Sequence, residues 1–337
     1  MMSISPSAQQ PLREAWPLER LIFERSLSLG FALHPNTTRA YSSHLNSYLT
    51  FCHLHRFPVD PTPDTLSFYV VFMAHHIQPH SIDNYLSGIV SQLEPHFPSV
   101  RAARNSDLVR RTMRGSLRRF SQPVRSRQSL SRVDLDHALS LFPRPFGHDD
   151  LCWLTMLLCA FFGLLRVGEL VWPDSPDLQV HSQLTSRSSV LSDATSFSFT
   201  VPCRKSDDRF EGSRVCITAS SLSPDPHALF LQYLGCRDAA FPLHPFLWVR
   251  ADGSIPTRAW FLRRFRLAFP SPAFSGHSLR AGGATSLAAA GVSPAQIQAI
   301  GLWSSSAWQR YVRKNPTLLQ TLLFHGRPIH DPPFSSV

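Results

Sequence analysis

Lysine is almost missing from this chain: Lys205 and Lys314 are the only two, so the rest of the 33 basic residues are arginine. Acids are sparse as well, 23 Asp and Glu in 337 residues, which leaves a formal charge of +10 and a sequence pI near 9.9. Arginine forks suit bidentate phosphate contact, and a positive surplus of this size makes nucleic acid or an anionic membrane the first partner to consider. Cysteine pairing is absent too. Cys52, Cys152, Cys159, Cys203, Cys216 and Cys236 stand apart with no CxxC spacing. That argues against a disulfide scaffold or a zinc knuckle and for a reducing compartment. The pairs His53/His55 and His75/His76 lack partners at zinc-ligand spacing, so no metal site is expected. No long apolar run occurs. The longest, Leu151 to Leu165, spans about 15 residues where a membrane span requires ~20, and reads as a buried core helix. Residues 1–15, rich in Ser, Pro and Gln, read as a disordered tail with no basic-then-apolar leader.

What is present is mostly helical periodicity. Leu18, Leu21, Ile22 and Leu29 recur at helical spacing between Trp16 and Leu33, and a second helix, capped by Asn36 or Thr37, carries Tyr41, Leu45, Tyr48, Leu49 and Cys52 on one stripe to His55. Asp64 stands where it can cap a third helix holding Leu66, Tyr69, Val70 and Met73. A fourth starts near Ser81 and buries Ile82, Tyr85, Leu86, Ile89 and Leu93 before Pro95 ends it. The fifth, Asp107 to Phe120, is dominated by Arg110, Arg111, Arg114, Arg118 and Arg119, with Arg111, Arg114 and Arg118 on one face. Its polar face reads as purely cationic and suited to phosphate contact. Together these helices predict an α-helical domain over residues 16–120 with one face suited to phosphate contact. Residues 121–131 lack periodicity and read as a basic linker.

Over residues 132–325 the texture is mixed. Helices are expected at Asp134 to Phe142 and Leu151 to Val171, then a β-hairpin with strands Phe197–Val201 and Val215–Thr218 around a polar turn. Further helices follow at Ala228 to Leu234, Thr257 to Phe269, Leu279 to Ala290, Pro294 to Leu302 and Ala307 to Tyr311; residues 326–337 read as a second tail. The fold class is therefore mainly α with a small antiparallel β-sheet, an all-helical domain followed by a mixed α+β one.

Four separated pieces of the second domain carry chemistry. Arg166 follows a helix apolar on nearly every face, and Glu169 stands three residues on; alone, the pair reads as a snorkelling arginine with its counter-ion. Lys205 sits in the hairpin turn. In so arginine-rich a chain, a turn lysine hints that a compact ammonium able to give up a proton is wanted. His277 and Arg280 open a helix with i, i+3 spacing, which puts imidazole and guanidinium on the face where backbone N–H groups already favour an anion, and Gly282 and Gly283 permit close helix approach. Tyr311 lies between Arg310 and Arg313, an anion-binding setting in which a phenol hydroxyl is a plausible nucleophile.

Arg in a G-x-x-R-x-x-E-L context, Lys in a β-hairpin, H-x-x-R opening a helix, then G-x-W and a Tyr ten residues past the glycine together resemble the tyrosine recombinase/integrase family. The helical first domain looks like that family's core-binding domain, the second like its catalytic domain. The W-S-S-x-x-x-x-R-Y-x-R stretch is similar to recombinases of Crypton- and DIRS-like eukaryotic mobile elements. The resemblance implies that Tyr311 attacks a DNA phosphodiester, forming a 3′-phosphotyrosyl link and releasing a 5′-hydroxyl. Arg166 and Arg280 would clamp the nonbridging oxygens, Lys205 would protonate the leaving 5′-oxygen, His277 would assist proton transfer at the nucleophile, and Glu169 would orient His277 or an arginine. No cofactor is implied. One departure stands out: Leu302 occupies the place after the glycine where the family has His or Trp, and Trp303 follows, so Trp303 is expected to take that role. The resemblance further implies two domains closing on double-stranded DNA as a C-shaped clamp. The apolar segment Pro316 to Phe324 would dock on a neighbouring protomer to build a tetramer.

Two other readings share these features. A type IB-like topoisomerase would use the same groups as a monomer and relax supercoils without strand exchange; a catalytically idle, mobile-element-derived protein would bind DNA and form no covalent adduct. A nuclear location is expected for a eukaryotic host and a cytoplasmic one otherwise.

Overall fold

The structure, a computed structural model, describes residues 14–122, 128–202, 212–301 and 303. The chain divides into two compact units, Met1–Pro123 and Val124–Val337.

Unit one is helical: α1 (Leu18–Gly30), α2 (Pro35–His55), α3 (Pro63–Ala74), α4 (Pro79–Leu93), the short α5 (Val100–Arg104) and α6 (Asp107–Phe120). Proline opens α2, α3 and α4 at the first helical position, where its missing N–H removes no hydrogen bond and its fixed φ suits the helix. The caps of α2 and α3 therefore fall two or three residues earlier than the sequence suggested. His34 Nδ1, not Asn36 or Thr37, caps α2, accepting from the Asn36 N–H at 3.2 Å. Thr62 Oγ1 caps α3 through the Thr65 N–H at 3.2 Å, and Asp64 instead places its carboxylate in the first turn, favourable to the helix dipole. The core joins Tyr48, Phe51, Leu66, Tyr69, Val70, Ile82, Leu86 and Ile89, with α2 packed on α4 and α3 on α6. The apolar stripe of α1 buries nothing among the described residues: Leu18, Phe23 and Leu29 are all exposed. Helix α5 had no signal in the sequence, being a single turn between Pro98 and the Ser106 cap of α6.

Unit two holds α7 (Arg132–Ser140), α8 (His148–Phe162), a 3₁₀ turn (Val167–Glu169), strands β1 (Leu191–Ser192), β2 (Ser196–Val201) and β3 (Ser213–Thr218), then α9 (Pro226–Ala240), α10 (Arg258–Ala268), α11 (Gly276–Ala289) and α12 (Pro294–Gly301). Helix α8 is buried along its length from Leu151 to Phe161, packs on α7, α9 and α11, and forms the centre of the core, as a helix apolar all round must. Among the described residues no helix is long and apolar enough to cross a membrane. The sheet is antiparallel in the order β1-β2-β3, with Phe197 paired to Ile217 and Phe199 to Val215. Strand alternation sends Phe197, Phe199, Val201, Val215 and Ile217 to one face, where Phe197 stacks on Phe230 of α9 with ring centroids 3.8 Å apart. The hairpin is where the sequence placed it; β1 adds a short edge.

The helix expected to run to Val171 stops at Phe162. Gly163 ends it, Leu164 adopts a left-handed φ of 50°, and the Leu165 N–H returns to the Ala160 carbonyl at 3.0 Å. A side chain at Gly163 would collide, its Cβ lying 2.8 Å from the Cys159 carbonyl and 2.9 Å from Val215 on β3.

Helix α11 lies against two backbones. A Cβ on Gly282 would sit 2.0 Å from the Leu130 carbonyl oxygen, and one on Gly283 2.0 Å from the Phe161 carbonyl oxygen. Neither carbonyl can swing aside as a side chain could. Gly283→Ala should therefore destabilise the protein by about 1–3 kcal/mol in denaturant unfolding, the range of core overpacking. Gly235→Ala, on α9 where a Cβ meets nothing within 4 Å, should stabilise it by about 0.5–1 kcal/mol from helix propensity alone.

Candidate active site

The turn after α8 presents Arg166. Its backbone N–H donates to Glu169 Oε2 at 2.9 Å and its Nη1 donates to Glu169 Oε1 at 2.9 Å, so one carboxylate fixes both the turn and the guanidinium. The Glu169 side chain is 6% exposed and that of Arg166 34%, which leaves the far side of the arginine open. Glu169 thus orients an arginine, one of the two roles expected for it.

The N-terminal turn of α11 presents His277 and Arg280. The Ser275 N–H donates to Ser278 Oγ at 3.0 Å to close that turn, and the Leu130 N–H donates to the Ser278 carbonyl at 3.1 Å, tying the helix start to the beginning of unit two. Gly276 lets the turn approach the Arg166 loop: a Cβ there would lie 2.9 Å from Val167. His277 is exposed, whereas Arg280 is 2% exposed. The Arg280 Nη2 donates to the Gly301 carbonyl, and the guanidinium carbon sits 4.8 Å from the centroid of the Trp303 ring. Trp303 is itself buried, among Leu164, Ala284, Ala288 and Ile297. It meets the site through Arg280, and the cleft wall does not include it.

These elements enclose one open cleft of about 590 Å³, lined by Arg166, His277 and Arg280 together with residues of α10 and the Pro270–Pro272 segment. Helix α10 is held by the Trp172 N–H donating to the Pro256 carbonyl and the Arg258 N–H to the Trp172 carbonyl, each at 2.9 Å, and by the Trp153 indole donating to the Phe261 carbonyl at 3.2 Å. The sequence brought attention to Arg166, Glu169, His277, Arg280 and Trp303, and the structure gathers all five. It missed Arg258 and Arg266, which line the same cleft; the signal was available in the four arginines of Arg258–Ala268. Lys205, Leu302, Tyr311 and the segment Pro316 to Phe324 lie outside the described residues.

In unit one, Arg110, Arg111, Arg114, Arg118 and Arg119 are all exposed on α6. The face is not purely cationic: Arg110 pairs with Asp107 at 2.8 Å, an i, i+3 contact at the helix start. Among the described residues Arg111, Arg114, Arg118 and Arg119 make no ion pair. No group of His, Cys, Asp and Glu among the described residues could hold a metal ion.

Comparison with solved structures places this architecture. The XerH site-specific recombinase bound to palindromic difH substrate in a post-cleavage complex matches 77% of this chain and 70% of its own, at 14% identity and a TM-score of 0.52. The Tn1549 transposon integrase in complex with circular intermediate DNA matches 87% and 93%, at 14% identity and a TM-score of 0.52. A lambda integrase dimer bound to a COC′ core site matches 87% and 94%, at 15% identity and a TM-score of 0.50. The chain has the tyrosine recombinase fold. At these identities the recombinase likeness is one of architecture. No family model matches the chain, and no curated protein matches it by sequence.

The Arg166–Glu169 pair makes a stability prediction for this recombinase fold. Glu169→Ala removes both acceptors from Arg166 and should cost about 1–3 kcal/mol in denaturant unfolding, the penalty for stranding partly buried charged donors. Glu169→Gln keeps one oxygen acceptor and should lose less. Equal stability of Glu169→Ala and the unaltered protein would mean that the pair contributes nothing to holding the turn.

Proposed function

We propose that this protein is a site-specific DNA recombinase or integrase that cleaves and rejoins double-stranded DNA through a 3′-phosphotyrosyl intermediate on Tyr311. The observation that carries the reading is the cleft itself. It gathers Arg166, His277 and Arg280 from elements more than 100 residues apart, and no acidic side chain among the described residues lines it. The recombinase architecture supports it, since XerH, the Tn1549 integrase and the lambda integrase were each solved on DNA.

In this reading the Tyr311 oxygen attacks the scissile phosphorus, a P–O bond forms to the phenol, and the bond to the 5′-oxygen breaks. Arg166 and Arg280 hold the two nonbridging oxygens and stabilise the charge that builds on them in the pentacoordinate transition state. His277, exposed at the cleft, moves the proton on the attacking side, and Lys205 delivers one to the leaving 5′-oxygen. Trp303 acts beneath Arg280, its indole face fixing the guanidinium. The incoming 5′-hydroxyl of a second strand reverses the step and regenerates the tyrosine, so no external energy source enters the scheme. The roles of Lys205 and Tyr311 rest on the sequence pattern.

Arg111, Arg114, Arg118 and Arg119 on α6, joined by Arg110, contact the DNA backbone without reading sequence. Segment 316–324 docks on a neighbouring protomer, and four protomers assemble on two duplexes. A mobile-element origin and a nuclear location belong to the same reading.

The test is a nicked suicide substrate, which traps the covalent adduct. The unaltered protein should give a denaturation-resistant protein–DNA species, and Tyr311→Phe should bind the duplex equally and give none. An adduct that persists in Tyr311→Phe would remove Tyr311 as the nucleophile. Supercoil relaxation with no strand exchange would point to the topoisomerase reading.

A further inference from the structure

Helix α10 carries arginines of two kinds. Arg264 faces the protein, with its Nη1 donating to Asp150 Oδ1 at 2.5 Å and its guanidinium 5.0 Å from the Trp260 ring. Arg258 and Arg266 face the cleft, are exposed, and make no ion pair among the described residues. With Leu262, Phe265 and Phe269 they form a single stripe at helical spacing that makes one wall of the cleft. Of the four arginines of this helix, Arg264 is thus neutralised by Asp150, while Arg258, Arg263 and Arg266 are exposed and make no ion pair among the described residues, and only Arg258 and Arg266 line the cleft.

Among the described residues the cleft so formed is lined by four guanidinium groups, those of Arg166, Arg258, Arg266 and Arg280, and by no carboxylate. Arg258 and Arg266 are eight residues apart, about 12 Å along the helix axis at 1.5 Å per residue. One phosphate cannot bridge them; an extended polyanion can. Between them the wall offers Leu262 and Phe265, which carry no donor or acceptor for a base edge.

We propose that Arg258 and Arg266 form a second phosphate-binding site on the cleft wall, each taking one backbone phosphate of the duplex to either side of the one held by Arg166 and Arg280. This rests on the reading of the cleft as a DNA site and adds two contacts to it. The role is positioning: the pair sets the register of the strand so that the scissile phosphate, and not its neighbour, reaches the clamp.

The experiment uses the full chain carrying Tyr311→Phe, so that binding is read without cleavage, and fluorescence anisotropy on two duplexes of unrelated sequence over a range of NaCl concentrations. Each neutralised phosphate should change the slope of log K against log salt by about 0.9. Arg258→Ala and Arg266→Ala should each flatten the slope by about that amount, and the double variant by about 1.8, equally on both duplexes. Arg264→Ala should leave the slope unchanged, because its charge is already met by Asp150. An unchanged slope in the double variant overturns the proposal, and so does a loss confined to one duplex, which would mean base readout. Arg258→Gln and Arg266→Gln, conservative at exposed positions, must reproduce the alanine result; if they do not, the loss comes from misfolding and the proposal fails. The slope does not depend on covalent chemistry. A flattened slope with no adduct in the unaltered protein would sink the recombinase reading and keep this site, whereas an adduct with an unchanged slope would do the reverse.

Discussion

Backbone meets backbone where α11 crosses the end of α8 and the residues around Leu130, and the cleft depends on that contact. Side chains at Gly282 and Gly283 would strike the carbonyl oxygens of Leu130 and Phe161 at 2.0 Å, so only glycine allows the helix to lie so deep. The depth has a chemical result. It carries Arg280, one turn from the helix start, to 2% exposure, while His277 in the same turn stays at the surface. A buried guanidinium needs compensation. The Gly301 carbonyl, which accepts from its Nη2, and the Trp303 ring, against which it lies, orient the group.

Arg166 and Arg280, the two arginines at the head of the cleft, are thus held by opposite means. Arg166 is steered by a carboxylate that also closes its turn, and Arg280 by a neutral carbonyl and an aromatic face. Both line one cleft, and α10 adds Arg258 and Arg266 along its wall. A polyanion entering such a cleft meets fixed cations that need little reorganisation, which is the condition under which electrostatic stabilisation of a transition state is large. Because α8, the turn after it, α10 and α11 share one core, the spacing of these groups is set by packing across long stretches of sequence.

Much of this could be read from the sequence, for reasons that differ by element. The hairpin and α8 were legible because strand alternation and an all-apolar helix are strong local signals, and H-x-x-R because its i, i+3 spacing at a helix start has one geometric meaning. The caps of α2 and α3 were misplaced because Asn36, Thr37 and Asp64 are good capping residues by type, whereas Pro35 and Pro63 sit at the first helical position and move the cap to the residue before them. The end of α8 was missed by several residues, since apolar character continues through Leu164 and Leu165 after the backbone has turned at Gly163. The polar face of α6 was read as purely cationic although Asp107, the first residue of the helix, reaches Arg110 at i, i+3. Arg258 and Arg266 were overlooked because their neighbours Arg263 and Arg264 blur the pattern, and only packing tells which arginines are neutralised.

The central claim is that Arg166 and Arg280 act on the charge of a scissile phosphodiester, and replacing one nonbridging oxygen by methyl tests it most directly. A methylphosphonate at the cleavage position carries no charge there. Arg166→Ala should slow cleavage of the ordinary phosphodiester by about 100- to 1000-fold, the range for losing one charge-stabilising donor, and most of that loss should vanish on the methylphosphonate. An equal defect on both substrates would contradict the account, because Arg166 would then be needed for something other than the phosphate's charge.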